Sequence, residues 1–388
     1  MPINRRVELV VKISKYCNLR CNYCYEFSQL GDKTRMSFDN IKNLFDNIRS
    51  SVESLAIDEI FFFWHGGEPF MVPIDFYERL GKIQKEVFGG TVKYYNVPQT
   101  NLTILTERHI EFIKSRSFFN YLGVSFDVYG DQRVDTDGQL CNEKIVDNLQ
   151  KLIDHEIPFS AISVLARNTL PHIKQIYRFF DALNIEHRIL PYYMTADSDQ
   201  AQRHRLGHDE IVEAYKELFH EWLSSERSTA VAPIMDYVRF AVLHLSKVRE
   251  NRFDRFDRFA SECVFIVDIN GDVYGMPAVY DADYLYGNLF RTQFSEILKS
   301  GARRRSIMLS QQRMQRFCHQ CPYFGACPGE FVANATYEQQ KLLEARGCLV
   351  RDVIEHIVEV FERTHLKNFV LKTQKAEAAG SPALALLS

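Results

Sequence analysis

The stretch KYCNLRCNYCYEF, residues 15–27, places Cys17, Cys21 and Cys24 within eight positions. Gaps of three and then two residues cannot align three side chains on one face of a regular strand or helix, but a loop can wrap them around a compact inorganic core. Thiolates are the ligands of iron–sulfur clusters, and three of them leave one iron of a cubane open to a chelating ligand. A zinc site of three cysteines and one histidine would need a histidine nearby, and none occurs between residues 1 and 64. A second set follows near the other end: Cys318, Cys321 and Cys327 in FCHQCPYFGACPGEF, then Cys348 in RGCLV. Those four thiolates make a complete ligand set for an iron–sulfur cluster or for zinc.

Both sets need a scaffold. Short β-branched or aromatic runs recur as VELVVKIS, EIFFFW, TVKYYNV, YLGVSF, FSAISVLA and HRILPYY, with helical spacing between them. SFDNIKNLFDNIRSSV, with Ser37 as its N-cap, and NTLPHIKQIYRFFDALN are two of the intervening helices. Six β-α units in series predict an α/β fold, a parallel sheet curled into a full or partial barrel whose site lies at the C-terminal strand ends. The first cysteines follow the first strand at that end. The spacing divides the chain into a barrel over 1–195, a charged helical linker over 196–260, a small glycine-, proline- and cysteine-bearing domain over 261–350, and a helix with a disordered tail over 351–388. Within the linker, RENRFDRFDRF reads as a solvated helix face laced with ion pairs, or else as a substrate-docking surface.

Composition narrows the partners. The 388 residues, 46% hydrophobic and 25% charged, can bury a large core. A formal net charge of −3 and a pI near 6.5 supply no field to gather nucleic acid or an anionic membrane. The opening MPINRRVELVVKIS is neither a signal peptide nor a membrane span, so a cytoplasmic location is expected. Nine cysteines, an odd number, argue in a reducing compartment for metal or redox chemistry over disulfides.

CNLRCNYC, with Tyr23 just before its last cysteine, resembles the signature of the radical S-adenosylmethionine (radical SAM) superfamily. The resemblance implies a partial (β/α)6 TIM-like barrel. It implies also a [4Fe-4S] cluster on Cys17, Cys21 and Cys24 whose fourth iron is chelated by S-adenosylmethionine, which one electron cleaves to a 5′-deoxyadenosyl radical. WHGGEP resembles the family's glycine-glycine-glutamate element: Gly66 and Gly67 would admit close backbone approach, and Glu68 would accept from the SAM ammonium. GVSFD closes the fourth strand, where Ser125 and Asp127 are expected to point the same way and hold the ribose hydroxyls. Val128 replaces the glycine usual after this aspartate. Arg133 matches a frequent continuation and is open to an ion pair or a SAM contact. Thr100 and Asn101 are expected in loop capping or at the pocket wall, and His65 lies near the cofactor without an assigned role.

The second set resembles the SPASM subfamily, peptide-modifying radical SAM enzymes with auxiliary [4Fe-4S] clusters. The chain departs from that pattern, because Met276 and Phe331 stand where cysteines of the inner auxiliary cluster are usual. One auxiliary cluster on Cys318, Cys321, Cys327 and Cys348 is therefore expected, with Cys263 left as a buried or free thiol, or else a ligand to an incomplete cluster, and Cys141 as an incidental thiol. Anaerobic sulfatase maturases share the architecture but keep both auxiliary clusters and an aspartate base where Pro277 stands here. The resemblance thus favours a maturase that crosslinks a ribosomally made precursor peptide, cyclophane formers included. Such an enzyme would take electrons from a flavodoxin or ferredoxin. The first strand begins by residue 7, so leader recognition would use the 196–260 segment, the SPASM-like region or a separate leader-binding protein. The alternative is oxidation or epimerisation of a small molecule. No catalytic base is assigned; Tyr280, Asp281 and Asp283 lie in the right region, although turn roles suit them better.

Overall fold

The computed structural model describes residues 5–192, 199–250, 255–275 and 280–364. The six expected strands form: β1 Arg6–Ser14, β2 Glu59–Gly66, β3 Lys93–Thr100, β4 Leu122–Ser125, β5 Phe159–Leu165 and β6 His187–Pro191. Each pairs in parallel with the next. Alternation gives β1 two faces. Val7, Leu9, Val11 and Ile13 are buried, on the side where Phe62 of β2, stacked on Trp64, meets Phe45 of helix Phe38–Arg49 and Phe88 of helix Ile74–Phe88. The Ser37 hydroxyl accepts from the Asn40 amide at 3.2 Å and caps the first of these helices, as expected.

The opposite strand face lines a cavity of about 2320 Å³ with Arg6, Glu8, Phe61, Phe63, Tyr95 and Gln99 among its walls. The sheet does not end with the six strands. β7 (Val231–Ala232), inside the expected helical linker, pairs in parallel with β6. From the C-terminal region, β8 (Val264–Val267) pairs in parallel with β1, and β9 (Asp272–Gly275) and β10 (Leu285–Asn288) add antiparallel strands beyond it. The order is β10-β9-β8-β1-β2-β3-β4-β5-β6-β7. Residues 261–350 are thus tied to the barrel by main-chain hydrogen bonds.

The linker carries helices His208–Ser224 and Ile234–Leu245, and the amphipathic helix Leu349–Arg363 packs on both. Of the RENRFDRFDRF run, residues 251–254 lie outside the described residues, and the residues on either side of them are not all solvated. Glu250 and Arg258 are buried: Glu250 faces Arg239 and Arg255, while Arg258 donates to the Pro328 and Glu330 carbonyls at 3.1 and 3.0 Å. The chain beyond residue 364, the expected tail, lies outside the described residues, as do Met276 and Pro277.

Candidate active site

The loop leaving β1 is held at both sides of its cysteines. The Cys17 amide donates to Leu30 O at 3.1 Å, the Arg20 amide to Val134 O at 2.7 Å, and the Asn22 amide to Gln132 O at 3.1 Å. Cys17, Leu19 and Leu30 form a small buried cluster against which Cys21, Cys24 and Cys141 pack. The three thiols therefore converge, and Cys141, expected to be incidental, sits beside them. Asn101 Nδ2 donates toward Cys17 Sγ at 3.7 Å and Arg133 Nη1 toward Cys21 Sγ at 3.9 Å. Burial pushes the Cys17 and Cys24 thiols up to about 12 and raises Cys21 as well. Such thiols ionise when a metal core supplies the opposing charge.

Gly66 and Gly67 serve this loop directly. A Cβ at Gly66, whose φ is +120°, would stand 2.0 Å from Ser14 O, and one at Gly67 would stand 2.1 Å from Tyr16 O. The Gly67 and Glu68 amides donate to those same carbonyls at 2.8 and 2.9 Å. The close approach is therefore to the cysteine loop's own backbone. Glu68 is 2% exposed and accepts from the Phe70 amide (2.9 Å), the Thr100 hydroxyl (2.6 Å) and the Asn101 amide (2.7 Å). Burial raises its pKa against those three donors. Thr100 and Asn101 also cap their loop, accepting from the Leu102 and Thr103 amides at 2.9 Å each.

Ser125, the last residue of β4, and Asp127 two positions on take different hydrogen-bond partners. Ser125 accepts from Gln99 Nε2 at 2.7 Å. Asp127, 1% exposed, turns to Arg133 (2.9 Å), the Val164 amide (2.7 Å) and the Tyr23 hydroxyl, which in turn accepts from Arg133 Nη2 at 2.6 Å. Tyr23 thus joins the cysteine loop to the end of the fourth strand. A buried polar group between β1 and the C-terminal region escaped the sequence reading. It contains Lys12, Lys15, Glu26 and Asp268, together with Tyr280. The one signal was a lysine in the second half of the first strand, flanked by Val11 and Ile13.

Cys318 ends a π-helical turn, Met314–Cys318, and Cys348 immediately precedes helix Leu349–Arg363. The Cys321 amide donates to Cys318 O at 2.9 Å and the Cys327 amide to Tyr323 O at 2.8 Å. Burial, then the neighbouring Cys348, Cys318 and Cys321, pushes the Cys327 thiol up, so the four meet in space. Arg313, paired with Glu330 at 2.8 Å, lowers Cys318 against its burial. Among the described residues no group of three or more His, Cys, Asp or Glu is placed to hold a single metal ion. Cys263 lines the cavity. Asp281 accepts from the Asp283 amide at 2.9 Å, a turn role, while both line the cavity with Tyr284.

Residues 11–180 match the radical SAM superfamily. The chain carries a radical SAM domain. It is an enzyme, and the domain binds a [4Fe-4S] cluster and S-adenosylmethionine. The chain is 25% identical over 328 residues to a cysteine-type anaerobic sulfatase-maturating enzyme of Clostridium novyi (strain NT), covering 82% of this chain and 86% of that one. It is 23% identical over 365 residues to a serine-type enzyme of Bacteroides thetaiotaomicron, covering 86% and 84%. In fold it is similar to native anSMEcpe with bound AdoMet and Cp18Cys peptide (TM-score 0.71, 19% identity, 95% of this chain and 99% of that one). Streptococcus suis SuiB bound to S-adenosylmethionine is a more distant likeness (TM-score 0.57, 13% identity, 85% and 73%). This radical SAM enzyme is thus related to the sulfatase maturases, and the alignment extends well past the barrel. Among the described residues no helix is long and apolar enough to cross a membrane.

Proposed function

We propose that the chain is a peptide maturase that crosslinks a ribosomally made precursor. The observation that carries this reading is the cavity on the inner strand face, whose about 2320 Å³ gives an extended peptide room to lie along the strands. Relatives that modify or bind peptides point the same way. Oxidation of a small molecule is the second reading, and no feature of the cavity favours it.

Cys17, Cys21 and Cys24 would hold the initiating cluster, and Asn101 and Arg133 would donate to the sulfurs of Cys17 and Cys21. When bound, the reduced cluster and SAM supply a 5′-deoxyadenosyl radical that takes a hydrogen atom from the substrate. Glu68 keeps lone pairs beyond its three protein donors for the SAM ammonium. Asp127 serves as the buried anchor of Tyr23 and Arg133, leaving Ser125 with Gln99 as the polar pair toward the ribose. Closing a carbon–carbon bond then requires the loss of one electron and one proton. Cys318, Cys321, Cys327 and Cys348 would hold the electron acceptor in a SPASM-like region over 261–350. A flavodoxin or ferredoxin as donor, and a separate leader-binding protein, complete the proposed partners.

The test is anaerobic incubation of reconstituted enzyme with SAM, reductant and, as candidate precursor, any short peptide that a reading frame next to its gene encodes. Peptide lighter by two hydrogens, with a crosslink in its fragment spectrum and one 5′-deoxyadenosine per event, is the expected product. Unmodified peptide alongside consumption of a small metabolite from the same extract would overturn the reading.

A further inference from the structure

The buried group between β1 and the C-terminal region is larger than folding demands. Lys12 is 0% and Glu26 1% exposed, and Lys12 Nζ donates to Glu26 Oε1 and to the Tyr280 hydroxyl at 3.0 Å. The Tyr280 hydroxyl itself donates to Glu26. Lys15 pairs with Asp268 at 3.1 Å and Gln29 Oε1 at 2.6 Å, with Glu26 Oε2 at 3.8 Å. Lys12 and Lys15 lie 4.7 and 4.3 Å from the Tyr280 ring centre. Two cations and two carboxylates taken out of water are costly to desolvate, and apolar residues of like volume often serve stability as well or better. Their retention here asks for another purpose.

Their place supplies it. Lys15 is two residues before Cys17, and Glu26 two after Cys24, so the group brackets the cysteine loop. His65, the register partner of Lys12 on β2, is pushed down to about 4 by burial and by the Lys12 charge. The field of Lys12 is therefore felt beyond its own ion pair. Adding an electron to a cluster adds negative charge, which nearby carboxylates oppose and nearby cations favour, most strongly where water is excluded.

We propose that Lys12, Glu26 and Tyr280 set the reduction potential of the cluster held by Cys17, Cys21 and Cys24, with Tyr280 bringing the C-terminal region to bear on it. Glu26 lowers that potential; Lys12 and the Tyr280 hydroxyl offset it. Tyr280 adjoins Asp281, which lines the cavity with Asp283 and Tyr284, so the wall that meets substrate is one residue from the group that tunes the cluster. The inference rests on the assignment of the first cysteine set as the SAM-cluster site.

The experiment is an EPR-monitored redox titration of reconstituted wild type and three variants, following the reduced signal whose shape changes when SAM is added. Glu26→Gln should move its midpoint to higher potential, Lys12→Met to lower, and Tyr280→Phe to lower by less. A group that only holds the fold would not give shifts of opposite sign. Should Lys12→Met fail to load iron, Glu26→Gln and Tyr280→Phe decide. Unchanged midpoints, or shifts of one sign in those two, overturn the proposal. A wild-type enzyme with no SAM-sensitive signal would instead overturn the cluster assignment.

Discussion

The two cysteine sets are built by opposite means. The first spans eight residues and is local in sequence, yet what holds it comes from everywhere: Gly66 and Gly67 from β2, Asn101 from the loop after β3, Arg133 beyond β4, and Asp268 and Tyr280 from the C-terminal region. The second gathers residues from 318 to 348, yet its supports are mostly near at hand: a π-helical turn, the turn at Cys327, a helix start and the Arg313–Glu330 pair. A local ligand set borrowed by the whole barrel should fail without unfolding its neighbours. A dispersed set that joins its own segments should take that region with it.

The largest effect follows from the first set. With two [4Fe-4S] clusters the enzyme should carry about eight irons per chain. Replacing Cys17, Cys21 and Cys24 together with Ala should leave about four and abolish 5′-deoxyadenosine formation, with the circular dichroism of the barrel retained. A wild-type count near twelve by the same assay would mean an inner auxiliary cluster despite Met276 and Phe331.

Cys321→Ala should also halve the iron, but at a structural cost. Because thiolate binding of metal is coupled to folding, residues 280–364 should become sensitive to protease while the β1–β6 core resists. The variant should still cleave SAM slowly and release no crosslinked peptide. Equal protease resistance in the two cysteine variants would erase the contrast between the sets.

Glycine substitutions sharpen it without touching a ligand. In Gly67→Ala the new Cβ meets Tyr16 O at 2.1 Å, so the cysteine loop must move and first-cluster loading should fall severalfold. Gly329 beside the second set has φ +82°, and its Cβ would meet Cys318 Sγ at 3.5 Å, an ordinary contact. Gly329→Ala should therefore cost about 1 kcal/mol of backbone strain and little iron. Separate cluster counts by Mössbauer spectroscopy would show whether loss tracks the contact distance.

This contrast also explains what could be foreseen. The six strands were legible because a parallel sheet covered by helices writes apolar runs into the sequence. β7 to β10 were not foreseen as part of that sheet: VFIV and DVYG are four residues each, and the pairing of VFIV with β1 and of DVYG with VFIV is set by tertiary contact. The convergence of Cys17, Cys21 and Cys24 was legible because spacing is local. The hold of Arg133 and Tyr23 on Asp127 was not, since those partners come from the loop after β4 and from the cysteine loop. Lys12 and Glu26 could be singled out only once the fold had carried them out of water.

The smallest effect is expected at Cys263, which belongs to neither set. It lies at the start of β8, where its carbonyl accepts from the Glu8 amide at 2.8 Å, and it lines the cavity. The backbone contact ties the C-terminal region to β1 and needs no particular side chain, so Cys263→Ala should keep it. Removing one half-buried sulfur should cost under about 1 kcal/mol, with iron content and 5′-deoxyadenosine formation unchanged. Iron analysis of Cys263→Ala beside Cys321→Ala decides the matter. Equal loss in both would make Cys263 a ligand, move the second centre toward the cavity wall, and require a non-cysteine ligand to complete it.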